Sequence, residues 1–321
     1  MVNIRPIGPI LVVAVLSIVP VLQGRIPILL TLLTIALQLA IVSSNWNLLF
    51  GYAGVWSLGQ LGFFAIGAYS SALLSISGIS PWLALLAGMS ISLLTAVPLS
   101  LIALRLKATY FALATLGFQE VVRGFVVMIY PGIVFNLPHL QVGGFSFGAY
   151  GGIGYYYLFL ALFLASLAVH GRIVLSRLGL LTVALRESEV RAISLGVEPV
   201  KVRTVLFLVS VVFTSATGSL YAHYTNSVSQ SIVGFDTLLA YLIVMAFGGI
   251  GTFYGPTIAS FIWVFADFGL RLYLTEMRLV VMGVIVIASL LFMRRGLVEL
   301  FEKMATLRYI NRLVTKRTVG S

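Results

Sequence analysis

The apolar residues of this chain gather into ten runs, most of them of membrane-spanning or nearly membrane-spanning length, with short polar stretches between. The runs are Ile7–Leu22, Ile26–Val42, Phe63–Ser77, Trp82–Leu104, Tyr110–Phe135, Ile153–His170, Thr204–His223, Leu238–Gly251, Thr257–Leu270 and Leu279–Met293. A helix needs about 20 apolar residues to cross a bilayer. The pattern therefore predicts an all-α polytopic membrane protein with eight to ten transmembrane helices. A hydrophobic fraction of 60% and a charged fraction of 9% fit nothing else, since soluble domains are about 45–50% apolar and about 25% charged. Several runs fall short of about 17 residues, so broken or re-entrant backbone must be shielded inside the protein. The first run follows Arg5 but ends at Val21-Leu22-Gln23 without small residues for cleavage, and reads as a retained span.

Charge is concentrated where the apolar runs are not. Between Gly171 and Arg203, 33 residues carry nine of the 29 charged side chains. With ten spans and an inside N-terminus, sixteen Lys and Arg fall inside: Arg5, Arg105, Lys107, six in the central segment and seven from Arg294 to Arg317. Only Arg25, Arg271 and Arg278 fall outside. An excess of that size puts both termini and the central segment in the cytoplasm, in a cytoplasmic (inner) cell membrane. The chain then divides into a transmembrane domain, residues 1–293, with a cytoplasmic segment at 171–203, and a basic tail at 294–321 suited to anionic lipid. The net charge of +11 follows from this topology and does not indicate a nucleic-acid partner. Zero cysteines exclude disulfides, thiolate metal sites and cysteine nucleophiles.

Two glycine-rich stretches interrupt the runs. Glycines at 51, 54, 59, 62 and 67 suit a helix poorly, and Ser57 and Gln60 among them are the polar groups placed to face a water-filled path. Close helix packing through small residues explains the same glycines, and both readings can hold. The second stretch contains Gly248, Gly249, Gly251 and Thr252 and ends at Gly255-Pro256, which must end or bend the helix. The order of runs about the central segment gives two pseudo-repeated halves, each with one such break. Within the long fifth run, Glu120 and Arg123 share a helical face. Charges at that depth are functional candidates, the alternative being a helix lying flat at the interface. Asp267 and Arg271 fit an interfacial pair. No phosphate-binding loop or His-Glu-x-x-His occurs, so no nucleotide or metal cofactor is expected and the chain is not read as an enzyme.

In the central segment, Leu178, Leu181, Leu185, Ser188, Ala192 and Leu195 form one stripe, predicting a single docking helix. Gly196 supplies its stop and Pro199 prevents continuation, while Glu187 and Arg191 are spaced as an i, i+4 pair. An interfacial linker helix is the alternative.

Four blocks carry a resemblance. Asn47-Leu48-Leu49-Phe50-Gly51-Tyr52-Ala53-Gly54-Val55-Trp56-Ser57-Leu58-Gly59-Gln60 with Phe64–Tyr69 resembles the early signature of branched-chain amino acid ABC-transporter permeases of the LivM type. Tyr110–Leu116 with Glu120 and Arg123 is similar to the next block, Arg186–Ala192 with Leu195-Gly196 to the cytoplasmic coupling loop, and Gly248–Thr252 with Gly255-Pro256 to the late signature. The chain departs from the family at Gly143–Gly148, a shorter glycine-rich stretch, and at Glu198-Pro199. The resemblance implies an import permease working by alternating access. Its partners would be a second permease subunit, identical or homologous, a pair of cytoplasmic ATP-binding subunits, an extracytoplasmic solute-binding protein and the lipid bilayer. It implies coupling to the ATPase through Arg186, Glu187, Glu189, Arg191, Ala192 and Gly196. Urea and short-amide permeases share most of these signatures, and a proton-coupled secondary transporter using Glu120 and Arg123 is the reading from another class.

Overall fold

The computed structural model describes residues 27–106, 108–129, 134–135, 141–142, 145–146 and 152–274, with 277, 280–281 and 283–284. The first span, Arg5, Arg25, Lys107, Arg278, most of the last span and the basic tail lie outside the described residues.

Eight longer helices among the described residues build the bundle: α1 (Pro27–Asn47), α2 (Gln60–Ile76), α3 (Pro81–Ala103), α4 (Ala108–Ile129), α5 (Ile153–Leu175), α8 (Pro199–Thr225), α9 (Phe235–Gly248) and α10 (Gly255–Tyr273). Between α5 and α8 lie the short helices α6 (Arg177–Glu187) and α7 (Glu189–Ser194). Five helices among the described residues are long and apolar enough to cross a membrane, and α2 and α9 are shorter apolar helices. The chain is an all-α polytopic membrane protein. Two-residue strands add only small clips, β1 (Val134–Phe135) pairing with β4 (Ser227–Val228) and β2 (Gln141–Val142) with β3 (Phe145–Ser146).

Helices α1 and α8 are mostly buried and form the centre, while α3, α4 and α5 expose most of their surface around them. The centre is joined by close backbone contact. Gly67 of α2 packs on the Ser215 carbonyl of α8, and Gly218 of α8 on the Phe64 carbonyl of α2. A methyl group at either position would overlap main chain, so the small-residue packing reading holds for this part of the glycine series. Gly59 lies against the Thr115 carbonyl of α4, and Gly62 against the Phe118 ring.

A polar knot pins the centre to its surround. Asn45 of α1 donates through Nδ2 to Ser166 Oγ at 3.0 Å and accepts from His170 Nε2 of α5 at 2.9 Å. Ser210 Oγ of α8 donates to the Asn45 carbonyl at 2.8 Å. Groups this deeply buried must be paired, and here three helices satisfy one another.

Two expectations change. The fifth run, expected to reach Phe135, is described as a helix to Ile129, and Val134–Phe135 are strand. The expected break at Gly248–Pro256 is present: α9 ends at Gly248, and Pro256 lies in the first turn of α10, where its missing N–H costs nothing, as Pro199 does in α8. The second change concerns the docking segment.

Candidate coupling site

The stripe from Leu178 to Leu195 is not one helix. Ser188 takes extended dihedrals (φ −159°, ψ 102°) and divides it. Its hydroxyl accepts from the Arg191 N–H at 3.4 Å, capping α7, so a residue whose spacing fits a helix face instead starts a new helix. The break removes the expected i, i+4 geometry, and Glu187 and Arg191 are exposed and form no ion pair among the described residues. Glu189 is the paired acid: Arg203 donates from Nη1 to Oε1 at 3.2 Å and from Nη2 to Oε2 at 2.9 Å. The middle of the stripe faces its own chain, with Leu185, Ala192 and Val202 buried together, while its last member, Leu195, faces outward. The outward apolar residues are Val190, Ile193 and Leu195, the last 84% exposed. Gly196 makes the expected left-handed stop at φ 83°.

Inward from this segment the two glycine-rich breaks meet. The end of α1 widens into a π turn, Leu48–Tyr52, in which the Ala53 N–H reaches the Leu48 carbonyl at 3.3 Å. Residues 53–59 are not helical, and Gly54 sits at φ 65°. On the other side α9 ends at Gly248, followed by Gly249 at φ 110° and Gly251 at φ 79°. Gly51 lies against the main chain of Gly251 so closely that a Cβ on Gly51 would overlap the Gly251 nitrogen. Asn47 stitches them: Gly251 N–H donates to Asn47 Oδ1 at 2.8 Å, and Asn47 Nδ2 donates to the Thr252 carbonyl at 2.7 Å.

Arg186 closes the arrangement. Its Nη1 donates to the Gly51 carbonyl at 2.7 Å, and its stem lies over Gly54, where an added Cβ would sit 3.3 Å from Arg186 Cγ. The same Nη1 lies 3.0 Å from where a Gly251 Cβ would be. One side chain from the charged segment thus touches both breaks. Trp46 Nε1 donates to the Ser57 carbonyl at 2.5 Å and the Leu58 N–H donates to Thr115 Oγ1 at 2.9 Å, holding residues 53–59 between α1 and α4.

Ser57 and Gln60 are fully buried in this arrangement, where an open path would expose them. Thr214 Oγ1 donates to Gln60 Oε1 at 3.3 Å, while Ser57 Oγ and Gln60 Nε2 have no hydrogen-bond partner among the described residues. Thr214 is about 22 Å along α8 from Pro199 at 1.5 Å per residue, so α2 begins deep inside the bundle. Glu120 and Arg123 do pair, at 3.4 Å, with both side chains nearly half exposed on α4. Asp267 and Arg271 form the expected i, i+4 pair at 2.9 Å.

Beside α7 a groove of about 610 Å³ opens between Gly54, Leu106, Phe111, Val190, Ile193 and Val200, with the Glu189–Arg203 pair at its edge. Asn45, Asn47 and His170 were not singled out by sequence reasoning. The run Ser43-Ser44-Asn45-Trp46-Asn47 at the end of α1 is the signal for Asn45 and Asn47, and no such run marks His170.

Residues 28–290 match the family described as the branched-chain amino acid transport system / permease component. The chain is 28% identical over 295 residues to the high-affinity branched-chain amino acid transport system permease protein LivM of Salmonella typhimurium, covering 83% of this chain and 69% of that one. It is also 28% identical over 294 residues to LivM of Escherichia coli K12, with the same coverages. No solved structure matches.

Proposed function

Because this chain belongs to the family of branched-chain amino acid transport permeases, we propose that it is the transmembrane subunit of an ATP-binding-cassette importer for branched-chain or related small amino acids. It works by alternating access in the cytoplasmic membrane, with both termini and residues 171–203 on the cytoplasmic side. ATP is hydrolysed by separate subunits that dock on α7 and the neighbouring groove, and a solute-binding protein delivers substrate on the other side.

The observation that carries this reading is Arg186. A docking segment coupled to transport needs a rigid route from its surface to the moving backbone, and Arg186 supplies one: α6 and α7 outside, Gly51 and Gly251 inside, a single guanidinium between them. Glu187, Arg191, Val190, Ile193 and the Gly196 turn are the surface offered to the ATPase. Ala192 seats that surface on Val202, and Glu189 fixes it through Arg203. The breaks at Gly51–Gln60 and Gly248–Thr252 are the elements displaced, opening the buried Ser57 and Gln60 toward the path. Small amides are the alternative cargo.

A proton-coupled carrier through Glu120 and Arg123 is disfavoured by their outward placement on α4, away from any interior relay. The test is uptake of labelled leucine into proteoliposomes holding this chain with its partner permease, ATP-binding subunits and binding protein. Uptake is expected to require ATP and to ignore a proton gradient. Gradient-driven uptake by the purified chain alone, abolished by Glu120→Gln, would overturn the proposal.

A further inference from the structure

We propose that the cavity between α1, α2, α8 and α9 holds the cargo on its way to the breaks, and that it takes a small amino acid without a charged side chain. This rests on the importer reading above and adds where, and by which groups, the chain itself holds the solute.

Helix lengths put the cavity at membrane depth. Helix α8 has 27 residues and rises about 40 Å, whereas α9 has 14 and rises about 21 Å, short of the roughly 30 Å of bilayer hydrocarbon. The connection between them, residues 226–234, therefore enters the bilayer. Irregular backbone at that depth is buried in protein or lines a water-filled cavity. Here Ser231 and Ile232, in a 3₁₀ turn (Gln230–Val233), close a cavity of about 110 Å³ with Gln38 of α1, Leu61 and Phe64 of α2, Tyr221 of α8, and Thr237 and Tyr241 of α9. That is several times the roughly 30 Å³ share of one water molecule, so a small solute has room. Gln38 stands about 13 Å of rise before Asn47, and Tyr241 about 10 Å before Gly248, which sets the cavity on the far side of the breaks from Arg186. Leu61 of its wall directly follows the buried Gln60.

The lining selects the solute. Gln38 is only 7% exposed and donates from Nε2 to Tyr241 Oη at 2.8 Å. That bond leaves the Tyr241 O–H proton and Gln38 Oε1 with no partner among the described residues, a donor for a carboxylate beside an acceptor for an ammonium. Ser231 and Thr237 add hydroxyls, and Leu61, Phe64 and Ile232 offer an apolar wall to an aliphatic side chain. No lining residue carries a charge at neutral pH, so a lysine or glutamate side chain would bring a charge that nothing there neutralises.

The experiment irradiates the assembled transporter, without its binding protein, in nanodiscs with photo-leucine, the diazirine analogue of leucine, and maps labelled peptides by mass spectrometry. Label is expected at residues 61–64, 221 or 230–241, displaced by excess leucine and not by equal lysine, glutamate or acetamide. Tyr241→Phe and, separately, Gln38→Met should each reduce it roughly tenfold at an unchanged unfolding midpoint, as the loss of one hydrogen bond to a charged group requires. No label, label elsewhere, label that leucine does not displace, label that lysine, glutamate or acetamide displaces equally, or label that survives both substitutions would each overturn the proposal. Should neither variant fold, the position and displacement of the wild-type label decide. Labelling does not depend on transport: ATP-driven uptake with label elsewhere removes the cavity and keeps the importer, and label in the cavity with uptake indifferent to ATP does the reverse.

Discussion

Replacing Arg186 by methionine keeps the stem over Gly54 and deletes the guanidinium. What is lost is one charge-assisted hydrogen bond, 2.7 Å from Nη1 to the Gly51 carbonyl, and the contact of that nitrogen with Gly251. Hydrogen bonds to charged groups contribute about 1.5–3 kcal/mol. Arg186 is partly open to solvent, so the lower end, about 1.5 kcal/mol, applies. At about 1.4 kcal/mol per decade that is roughly a tenfold change in how strongly the docking segment biases the two breaks. Because α7 and its outward residues are untouched, association with the ATP-binding subunits should persist. The assay is the number of ATP molecules hydrolysed per leucine imported in proteoliposomes. It should rise about tenfold in Arg186→Met, with Arg186→Lys intermediate because an ammonium keeps the charge but not the fork. An unchanged ratio would show that Arg186 is not the link, and loss of ATPase association would show that it acts in docking.

Gly51→Ala should lower the unfolding midpoint in detergent by the equivalent of about 1–3 kcal/mol, since its methyl would overlap the Gly251 main chain. Gly269→Ala, toward the C-terminal end of α10 with no described atom within 4 Å of the new methyl, should raise stability by about 0.5–1 kcal/mol in the same melt. Asn45→Ala should cost about 1–3 kcal/mol because it strands the His170 imidazole and the Ser166 hydroxyl. Ser188→Ala removes the cap of α7 and should speed amide hydrogen exchange over 189–194, consistent with a local loss of about 0.5–1 kcal/mol, while α8 is unaffected.

The helices were legible because each needs only its own apolar run, and the breaks because glycine clusters and proline act locally. The ends moved where chemistry overrode hydropathy: α5 continues five residues past His170 to Leu175 before Ser176 caps the next helix. The docking helix was misjudged at Ser188, a residue that fits a helical stripe and an N-cap equally well by spacing. Its side chain chose the cap once Leu185 and Ala192 had to reach Val202. The direction of Arg186 was not legible, since its partner is a carbonyl 135 residues away and a carbonyl leaves no trace in sequence. Asn45 and His170, 125 residues apart, were hidden for the same reason. The Glu120–Arg123 pairing followed from spacing, but the face it occupies depends on which side of α4 meets α2, where Gly59 and Gly62 accept Thr115 and Phe118.

The meeting of Gly51 and Gly251 leaves the chain no way to adapt gradually at that point. In an ordinary core contact, a larger side chain on one partner can be accommodated by a smaller one opposite. Here both partners are already the smallest residue there is, and a side chain on Gly51 would meet the Gly251 main chain. No replacement at Gly251 can make room, so a change at Gly51 must be answered by moving backbone, whereas one at Gly251 meets the Arg186 guanidinium first and is opposed by its φ of 79°.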